Sequence, residues 1–399
     1  MSRFLSYNPE QAYLLPPNVK EVLGSDHLVF FVHGVVERLQ LRQFVEAYGE
    51  EGGALYHPSL MLKVWLYAYL LGVTSSRRLE QRVKEDLAFR YLAGGAQPDY
   101  WALNEFRRRH ARALNDAFVQ VLEMAQKLGL ARMATVAVDS TRVKANASVD
   151  RVERIEEQRQ ERARKRRQVR RWQKACDAED PNEGAGTSLG EACEQLKQST
   201  ESISLEPLPK VVRHSRTDPD SRFLRERGGR FVLGYTAEVA VSEDHFIVAA
   251  RVTQNSSDQA GLVPMIEQVQ SNCGRVPGRV LADSGYYSNH NVAHLSAQSI
   301  DVYVPDSNLA NELHGGALAT TVAGMQPRDP NLIAMRKKLR TAAGKRCYEQ
   351  RKTMVEPVFG VLKEQRGMRR FRLRGMEKVG TEWTLAVLAY NLGRMYVAR

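Results

Sequence analysis

The first third of the chain has the hydrophobic periodicity of α-helices. Apolar residues recur there at spacings of three and four, which places them on one face of each predicted helix. These segments are residues 28–45, 59–71, 79–92 and 103–125. The pattern predicts an all-helical N-terminal domain over residues 1–130.

A turn within this helical region separates two of the predicted helices. The first begins near Ser75, the turn occupies residues 94–101, and the second helix carries Arg107 and Arg108. Two short helices joined by a turn, with arginines on the second, have the outline of a DNA-binding helix-turn-helix. The alternative is a solvated basic face on an ordinary helical bundle. Under the first interpretation, both arginines are candidate DNA contacts.

The hydrophobic period changes near residue 133, where a sheet is predicted to begin. Short segments rich in β-branched and aromatic residues predict strands, and a turn at residues 242–244 joins two of them into an antiparallel hairpin. The predicted strands are residues 135–138, 230–241, 245–253, 279–283 and 301–305. Helices are predicted between the later strands and at the end of the chain. This order indicates a mixed α/β sheet with an antiparallel start and a parallel continuation.

A charged segment interrupts the predicted sheet. Residues 151–172 alternate arginine, glutamate and glutamine with few apolar residues, and a run rich in turn-forming residues follows at 179–187. This composition predicts an exposed helix, a turn and a second helix, and therefore a charged helical insertion over residues 150–204. The α/β domain is then predicted to comprise residues 131–149 and 205–399.

Composition excludes several classes of protein. With 399 residues, 43% of them hydrophobic and 26% charged, the chain is long enough for two or three domains with their own cores. It has no apolar segment of the roughly 20 residues that a membrane helix needs. Its N-terminus lacks the pattern of a secretion signal, and its four cysteines form no C-x-x-C pair. We therefore expect a cytoplasmic protein without a disulfide framework.

The charge balance points to a class of partner. Lysine and arginine number 58 against 46 aspartates and glutamates, which gives a net charge of +12. Such a field attracts polyanions, of which nucleic acid is the commonest in a cytoplasm. The sequence has no G-x-x-x-x-G-K-S/T segment, so no ATP-binding loop is predicted.

Two aspartates lie where short apolar strands are predicted to end. Asp139 follows Val-Ala-Val, and Asp283 follows Val-Leu-Ala. A carboxylate at the edge of a buried strand is costly unless it is paired or bound to a metal. Mg²⁺ prefers oxygen ligands, usually one or two carboxylates together with water and substrate phosphate. Asp139 and Asp283 are therefore candidate Mg²⁺ ligands, and the alternative for each is the capping of a turn or helix.

A third candidate acid lies on a predicted helix near the C-terminus. Glu356 and Lys363 are seven residues apart, so a continuous helix would place them on one face. Pro357 directly follows the acid, so either a new helix begins there or the helix kinks beside Glu356. Surface salt bridging is the alternative explanation of this pattern.

These three segments, taken together, resemble the DDE transposases of bacterial insertion sequences. The resemblance covers nearly the whole chain, since residues 7–17 and 57–69 are similar to the helical N-terminal region of the family and residues 366–375 to its tail. It implies a ribonuclease H-like catalytic core, that is, a mixed sheet flanked by helices.

The late acid lies in a segment similar to the signature of one subgroup of this family. That signature reads Tyr, two residues, Arg, three residues, Glu, six residues, Lys. Tyr348, Arg351, Glu356 and Lys363 follow it, except that four residues separate the arginine from the glutamate. The resemblance implies that the tyrosine, the arginine and the lysine contact DNA phosphates, and the alternative for Tyr348 is a packed aromatic side chain.

The resemblance also implies the metal centre and the reaction. Asp139, Asp283 and Glu356 would hold two Mg²⁺ ions, for which Mn²⁺ could substitute, roughly 4 Å apart, for in-line displacement at a phosphodiester. The same site would cleave DNA at the terminal inverted repeats of the element and transfer the strand to target DNA. No ATP is required, because transesterification conserves the energy of the DNA bond. A homodimer or a higher assembly on DNA is implied, and no membrane partner.

Two other functions stay open at this point. One is a non-enzymatic DNA-binding regulator, in which the basic helices bind DNA and the acids are structural. The other is a nuclease that cuts DNA without joining it. Binding to DNA does not distinguish these three functions, whereas metal-dependent cleavage and joining do.

Overall fold

The computed structural model describes residues 19–48, 56–148, 152–154, 164, 167, 213–226, 229–313 and 329–399. The described residues that precede the sheet are helical, as their periodicity predicts. The helices are α1 (Val19–Leu23), α2 (Leu28–Val36), α3 (Arg42–Glu46), α4 (Pro58–Leu70), α5 (Ser76–Glu85), α6 (Leu87–Leu92), α7 (Tyr100–Arg109) and α8 (Ala111–Lys127).

Three of the four predicted helices are each divided into two. The segment predicted over residues 79–92 is interrupted at Asp86, whose carboxylate accepts hydrogen bonds from the backbone N–H groups of Ala88 and Phe89. An aspartate in this position satisfies donors that a helix start leaves unpaired. The segment predicted over residues 103–125 is interrupted at His110. Apolar spacing alone does not reveal such breaks, because the buried face continues across them.

The remainder of the described chain builds a sheet and the helices around it. The strands are β1 (Thr135–Lys144), β2 (Val152–Arg154), β3 (Arg213–Ser215), β4 (Arg222–Arg225), β5 (Phe231–Ser242), β6 (Ile247–Thr253), β7 (Arg279–Ala282) and β8 (Asp301–Tyr303). The helices are α9 (Leu262–Cys273), α10 (Asn289–Ala297), α11 (Ser307–Leu313), α12 (Pro330–Arg340), α13 (Ala342–Gly360) and α14 (Met376–Val397).

The main sheet is mixed, with the antiparallel start and parallel continuation that the sequence predicts. Its central path is β4-β5-β1-β7-β8, and β6 pairs with β5 on the same edge as β4. Strands β1, β5 and β6 are antiparallel neighbours, whereas β7 runs parallel to both β1 and β8. Strand β4 and helix α11 were not predicted. Strand β1 is also longer than predicted, since it continues from Val138 through Asp139 to Lys144.

One cluster of buried side chains extends from the N-terminal helices into the sheet. Helix α14 lies between these two parts and contacts α4 and α8 on one side and β6 on the other. Its fully buried Asn391 exchanges hydrogen bonds with the backbone of Ile247 in β6. The C-terminal helix therefore fixes the position of the helical region relative to the sheet.

The predicted charged insertion lies largely outside the described residues. At its start the described backbone differs from the prediction, because Val152–Arg154 form a strand paired with Arg213–Ser215 rather than part of a helix. Among the described helices, none combines the length and the apolar character required to cross a membrane. Cys273 and Cys347 are free thiols.

Candidate active site

The register of two parallel strands places Asp139 beside Asp283. Val138 of β1 pairs with Ala282 of β7, so the two aspartates occupy the next position on neighbouring strands, where β7 ends and β1 continues. Neighbouring strands lie about 4.8 Å apart. Asp139 is only 8% exposed, and Asp283 opens a short 3₁₀ turn in which its Oδ1 accepts a hydrogen bond from the N–H of Gly285. Two acids 144 positions apart in the numbering thus meet because their strands pair.

Helix α13 brings the third acid, Glu356, to the two aspartates. The helix packs on the sheet against β1, and its exposed Glu356 lines a cleft with both aspartates. The helix continues through Pro357 to Gly360 and passes directly into a π-helical turn over Val361–Gln365. Neither a new helix nor a cap therefore begins at the proline. Lys363 lies on the π turn and faces the same cleft as Glu356, as the predicted shared face requires.

The cleft has a volume of about 530 Å³ and an unusual charge for a basic protein. Five carboxylates and three cationic side chains line it, whereas the chain as a whole carries a net charge of +12. The lining residues are Asp139, Ser140, Thr141, Arg142, Arg225, Glu226, Asp258, Asp283, Glu356, Phe359 and Lys363. Carboxylate oxygens without histidine or cysteine form a donor set that suits a hard cation such as Mg²⁺.

The carboxylates are not gathered around a single point. Among the described residues, no group of three acidic, histidine or cysteine side chains is close enough to ligate one ion. Two of the acids pair with arginines instead. Arg351 Nη1 donates to Asp139 Oδ2 at 2.8 Å, and Arg142 Nη1 donates to Asp258 Oδ1 at 3.1 Å.

Arg351 and Tyr348 are positioned differently from their predicted role. Both side chains are buried, with exposures of 4% and 5%. Burial opposes the charged form of Arg351, but the neighbouring Asp139, Tyr348 and Asp283 together outweigh this effect and raise the pKa of the guanidinium. Burial likewise raises the pKa of the Tyr348 hydroxyl. In this structure the arginine pairs with Asp139 and neither side chain is exposed, and the contacts of these two residues with DNA phosphates stay predictions.

Lys363 is the member of the predicted DNA-binding set that faces the cleft. Its Nζ donates to the backbone oxygen of Arg142 at 3.2 Å, and burial lowers its pKa. Arg142 and Arg225 provide the other positive charges of the cleft and were not predicted. Arg142 lies three residues after Asp139 on the same strand, which is the sequence signal that would have suggested it.

The two arginines predicted to bind DNA on α7 differ from each other. Arg107 is 1% exposed, stacks on the Trp65 ring at 4.1 Å, and donates hydrogen bonds to the Tyr69 hydroxyl and the Thr74 carbonyl. It is a core residue in this structure, and its predicted contact with DNA stays a prediction. Arg108 is exposed and lies 3.5 Å from Glu105, so its predicted contact with DNA stays a prediction.

Comparison with protein families identifies two segments of the chain. Residues 210–392 match the family described as Transposase DDE domain, and residues 17–109 match the family described as Transposase domain (DUF772). The first segment includes Asp283 and Glu356, and the second includes α2 to α7. Both matches are to transposase domains, so together they support a DDE transposase.

Comparisons with individual proteins add little to this. No curated protein is detectably similar to the chain. Among solved structures, the Mos1 transposase paired-end complex with left transposon end is 12% identical, with coverage of 93% of this chain and 98% of that chain, at a TM-score of 0.20. A pre-cleavage Mos1 transpososome is 11% identical, with coverage of 96% and 98%, at the same TM-score. Superpositions this poor carry no argument about fold or site.

Proposed function

We propose that this chain is the transposase of a bacterial insertion sequence and has a ribonuclease H-like catalytic core. In this proposal it cleaves DNA at the terminal inverted repeats of its element and transfers the strand to target DNA. One observation carries the proposal. A single cleft beside strands β1 and β7 is lined by three acids that were each selected from a different part of the sequence, Asp139, Asp283 and Glu356. The two transposase-domain matches support the same function.

The cleft residues suit the chemistry of phosphodiester displacement. Asp139, Asp283 and Glu356 would hold two Mg²⁺ ions, or Mn²⁺ in their place, and bound ions of this kind supply a strong nucleophile near neutral pH and stabilise the leaving oxygen. Arg351 pairs with Asp139 and orients its carboxylate from the buried side. Lys363, which also lines the cleft, offers an ammonium group to a DNA phosphate.

Positive charge outside the cleft supports binding of a long polyanion. The net charge of +12 favours DNA, and an acidic cleft within a basic molecule attracts cations to the place where the scissile phosphate would bind. We propose that binding of the element ends occurs as a homodimer or a higher assembly, and light scattering with and without end DNA measures this directly.

The test is metal-dependent cleavage of DNA that carries the inverted repeats flanking the coding sequence. We expect Asp139→Asn, Asp283→Asn and Glu356→Gln each to reduce cleavage by at least a hundredfold, with end binding retained. Glu349→Gln is the matched control, because Glu349 is exposed on the same helix, two turns before Glu356, and lies outside the cleft. Cleavage at the wild-type rate by all three cleft variants would overturn the proposal.

The same reaction separates the two alternatives. A regulator binds the ends but leaves them intact at every Mg²⁺ concentration. A nuclease produces cut ends without products joined to target DNA. We expect both cut and joined products, each dependent on Mg²⁺ or Mn²⁺.

A further inference from the structure

Asp258 is an acid of the cleft that the sequence did not identify. It lies in the loop after β6, directly before the short helical turn Gln259–Gly261, and this position suggests a helix cap. The structure does not support that role, since the Asp258 side chain makes no capping hydrogen bond. The side chain lines the cleft together with Asp283 instead.

Arg142 fixes the orientation of the Asp258 carboxylate. The arginine donates to Asp258 Oδ1 at 3.1 Å, to Thr236 Oγ1 at 2.8 Å and to the Ser256 carbonyl at 3.0 Å. Both members of the ion pair are largely buried, with side-chain exposures of 15% and 16%. These bonds tie the loop to β1 and β5. Because Arg142 holds Oδ1, it also fixes the position of the second carboxylate oxygen, Oδ2.

Gly285 leaves a space between this second oxygen and Asp283. A β-carbon at Gly285 would lie 3.1 Å from Asp283 Oδ1 and 3.5 Å from Asp258 Oδ2, so both oxygens border the volume that a side chain would fill. The backbone conformation at position 285 does not require glycine, because the φ angle there is not positive. Without a side chain at this position, one carboxylate oxygen of each aspartate borders the same small volume. A cation in that volume would offset the repulsion between the two negative charges.

The hydroxyl of Tyr286 provides a second, independent indication. The side chain is fully buried, and its hydroxyl has no hydrogen-bond partner within the part of the chain that the structure describes. Burial raises its pKa, and the charges of Glu238, Asp258, Asp139 and Asp283 raise it further. The Tyr286 ring packs against the turn that follows Asp258, since a β-carbon at Gly261 would lie 3.2 Å from Tyr286 Cε1 and close to Glu238 Oε1. Glu238 is already paired with Arg251. Buried hydroxyls normally have a partner, and the water shell that Mg²⁺ retains in proteins would supply one.

We propose that Asp258 is a fourth acidic residue of the catalytic centre and binds, through Oδ2, a divalent cation that it shares with Asp283. The catalytic role of this cation rests on the proposed function. Binding of the cation does not, and it can be measured without DNA.

The test is Mn²⁺ binding to the full-length protein, measured from the electron paramagnetic resonance signal of free Mn²⁺. We expect Asp258→Asn to weaken binding of one ion per chain by at least tenfold, or to abolish it. Asp306→Asn is the matched control, because Asp306 is also paired with an arginine, has a side-chain exposure of 13%, and lies outside the cleft. We expect the control to bind Mn²⁺ as the wild type does.

Gly285→Ala is the second variant, since it removes no charge and keeps the Arg142 pair. Its methyl group would enter the space between the two oxygens, so we expect a loss of Mn²⁺ affinity similar to that of Asp258→Asn. Wild-type Mn²⁺ binding by both variants would overturn the proposal, as would a wild-type protein that binds no Mn²⁺. If the wild type binds Mn²⁺ through Asp258 but cleaves no end DNA, the cation site stands and the proposed function fails.

Discussion

Removing the buried guanidinium of Arg351 tests whether this residue supports the acidic cleft or contacts DNA. The perturbation is Arg351→Met, which keeps much of the side-chain volume and removes the charge. At the observed 2.8 Å, the gross attraction to Asp139 is about 6 kcal/mol for an effective dielectric constant of about 20. Desolvation offsets part of this. Because both partners are buried, the variant removes the cation of a buried ion pair, which typically costs about 3–5 kcal/mol.

Thermal melting followed by circular dichroism measures this loss. If the 399 residues unfold as one unit, an unfolding entropy of about 2.1 cal/mol/K per residue converts 3–5 kcal/mol into a decrease in Tm of about 4–6 °C. Lys352→Met is the matched control, because it removes a cation from the next, exposed position of the same helix. We expect its Tm to stay within about 1 °C of the wild type.

A double-mutant cycle then assigns the loss to the ion pair. Asp139→Asn combined with Arg351→Met should be less destabilising than the sum of the single changes by about 1–3 kcal/mol, because neither variant residue leaves a buried charge unpaired. A Tm of Arg351→Met equal to that of the wild type, together with weaker binding to end DNA, would refute the reasoning. That result would support the contact between Arg351 and DNA that the sequence predicts.

Four further predictions concern other ionisable residues. Burial lowers the pKa of His110 to about 4, below its unfolded value near 6.5, so the unfolded chain binds the proton first and stability is lost as the pH falls. Thermal melts should show that the free energy of unfolding falls by about 2 kcal/mol between pH 6.5 and pH 5. A decrease of equal size in the His110→Gln variant would contradict this assignment. Arg107→Met should lower stability by about 3 kcal/mol in urea unfolding, because the fully buried Glu382 loses a neighbouring cation, and should leave the salt dependence of DNA binding unchanged. Arg108→Ala should change stability by less than about 0.5 kcal/mol and reduce the slope of log affinity against log salt by about one; an unaltered slope would exclude a phosphate contact. Lys363→Gln should reduce the slope of log affinity against log salt by about one and also slow cleavage. Cleavage at the wild-type rate would show that Lys363 has no role in the reaction.

The sequence determined the type and order of the elements. Apolar residues at spacings of three and four identified the N-terminal helices, and β-branched segments identified the strands that form the hairpin and the parallel part of the sheet. These patterns are readable because burial of one face is a local, periodic requirement. The sequence also selected Asp139 and Asp283, since a carboxylate that follows a run of buried apolar residues requires a partner.

Only the tertiary structure decided which charged side chains face the cleft and which are buried. Arg107 and Arg351 each appear in a basic segment of the sequence, yet each is buried against residues distant in the chain, Tyr69 and Asp139. Asp258 has the sequence context of a helix cap, but Arg142 and the space at Gly285 direct it to the cleft. The environment of a charge is set by contacts between segments that are far apart in sequence, and a local pattern contains no information about them.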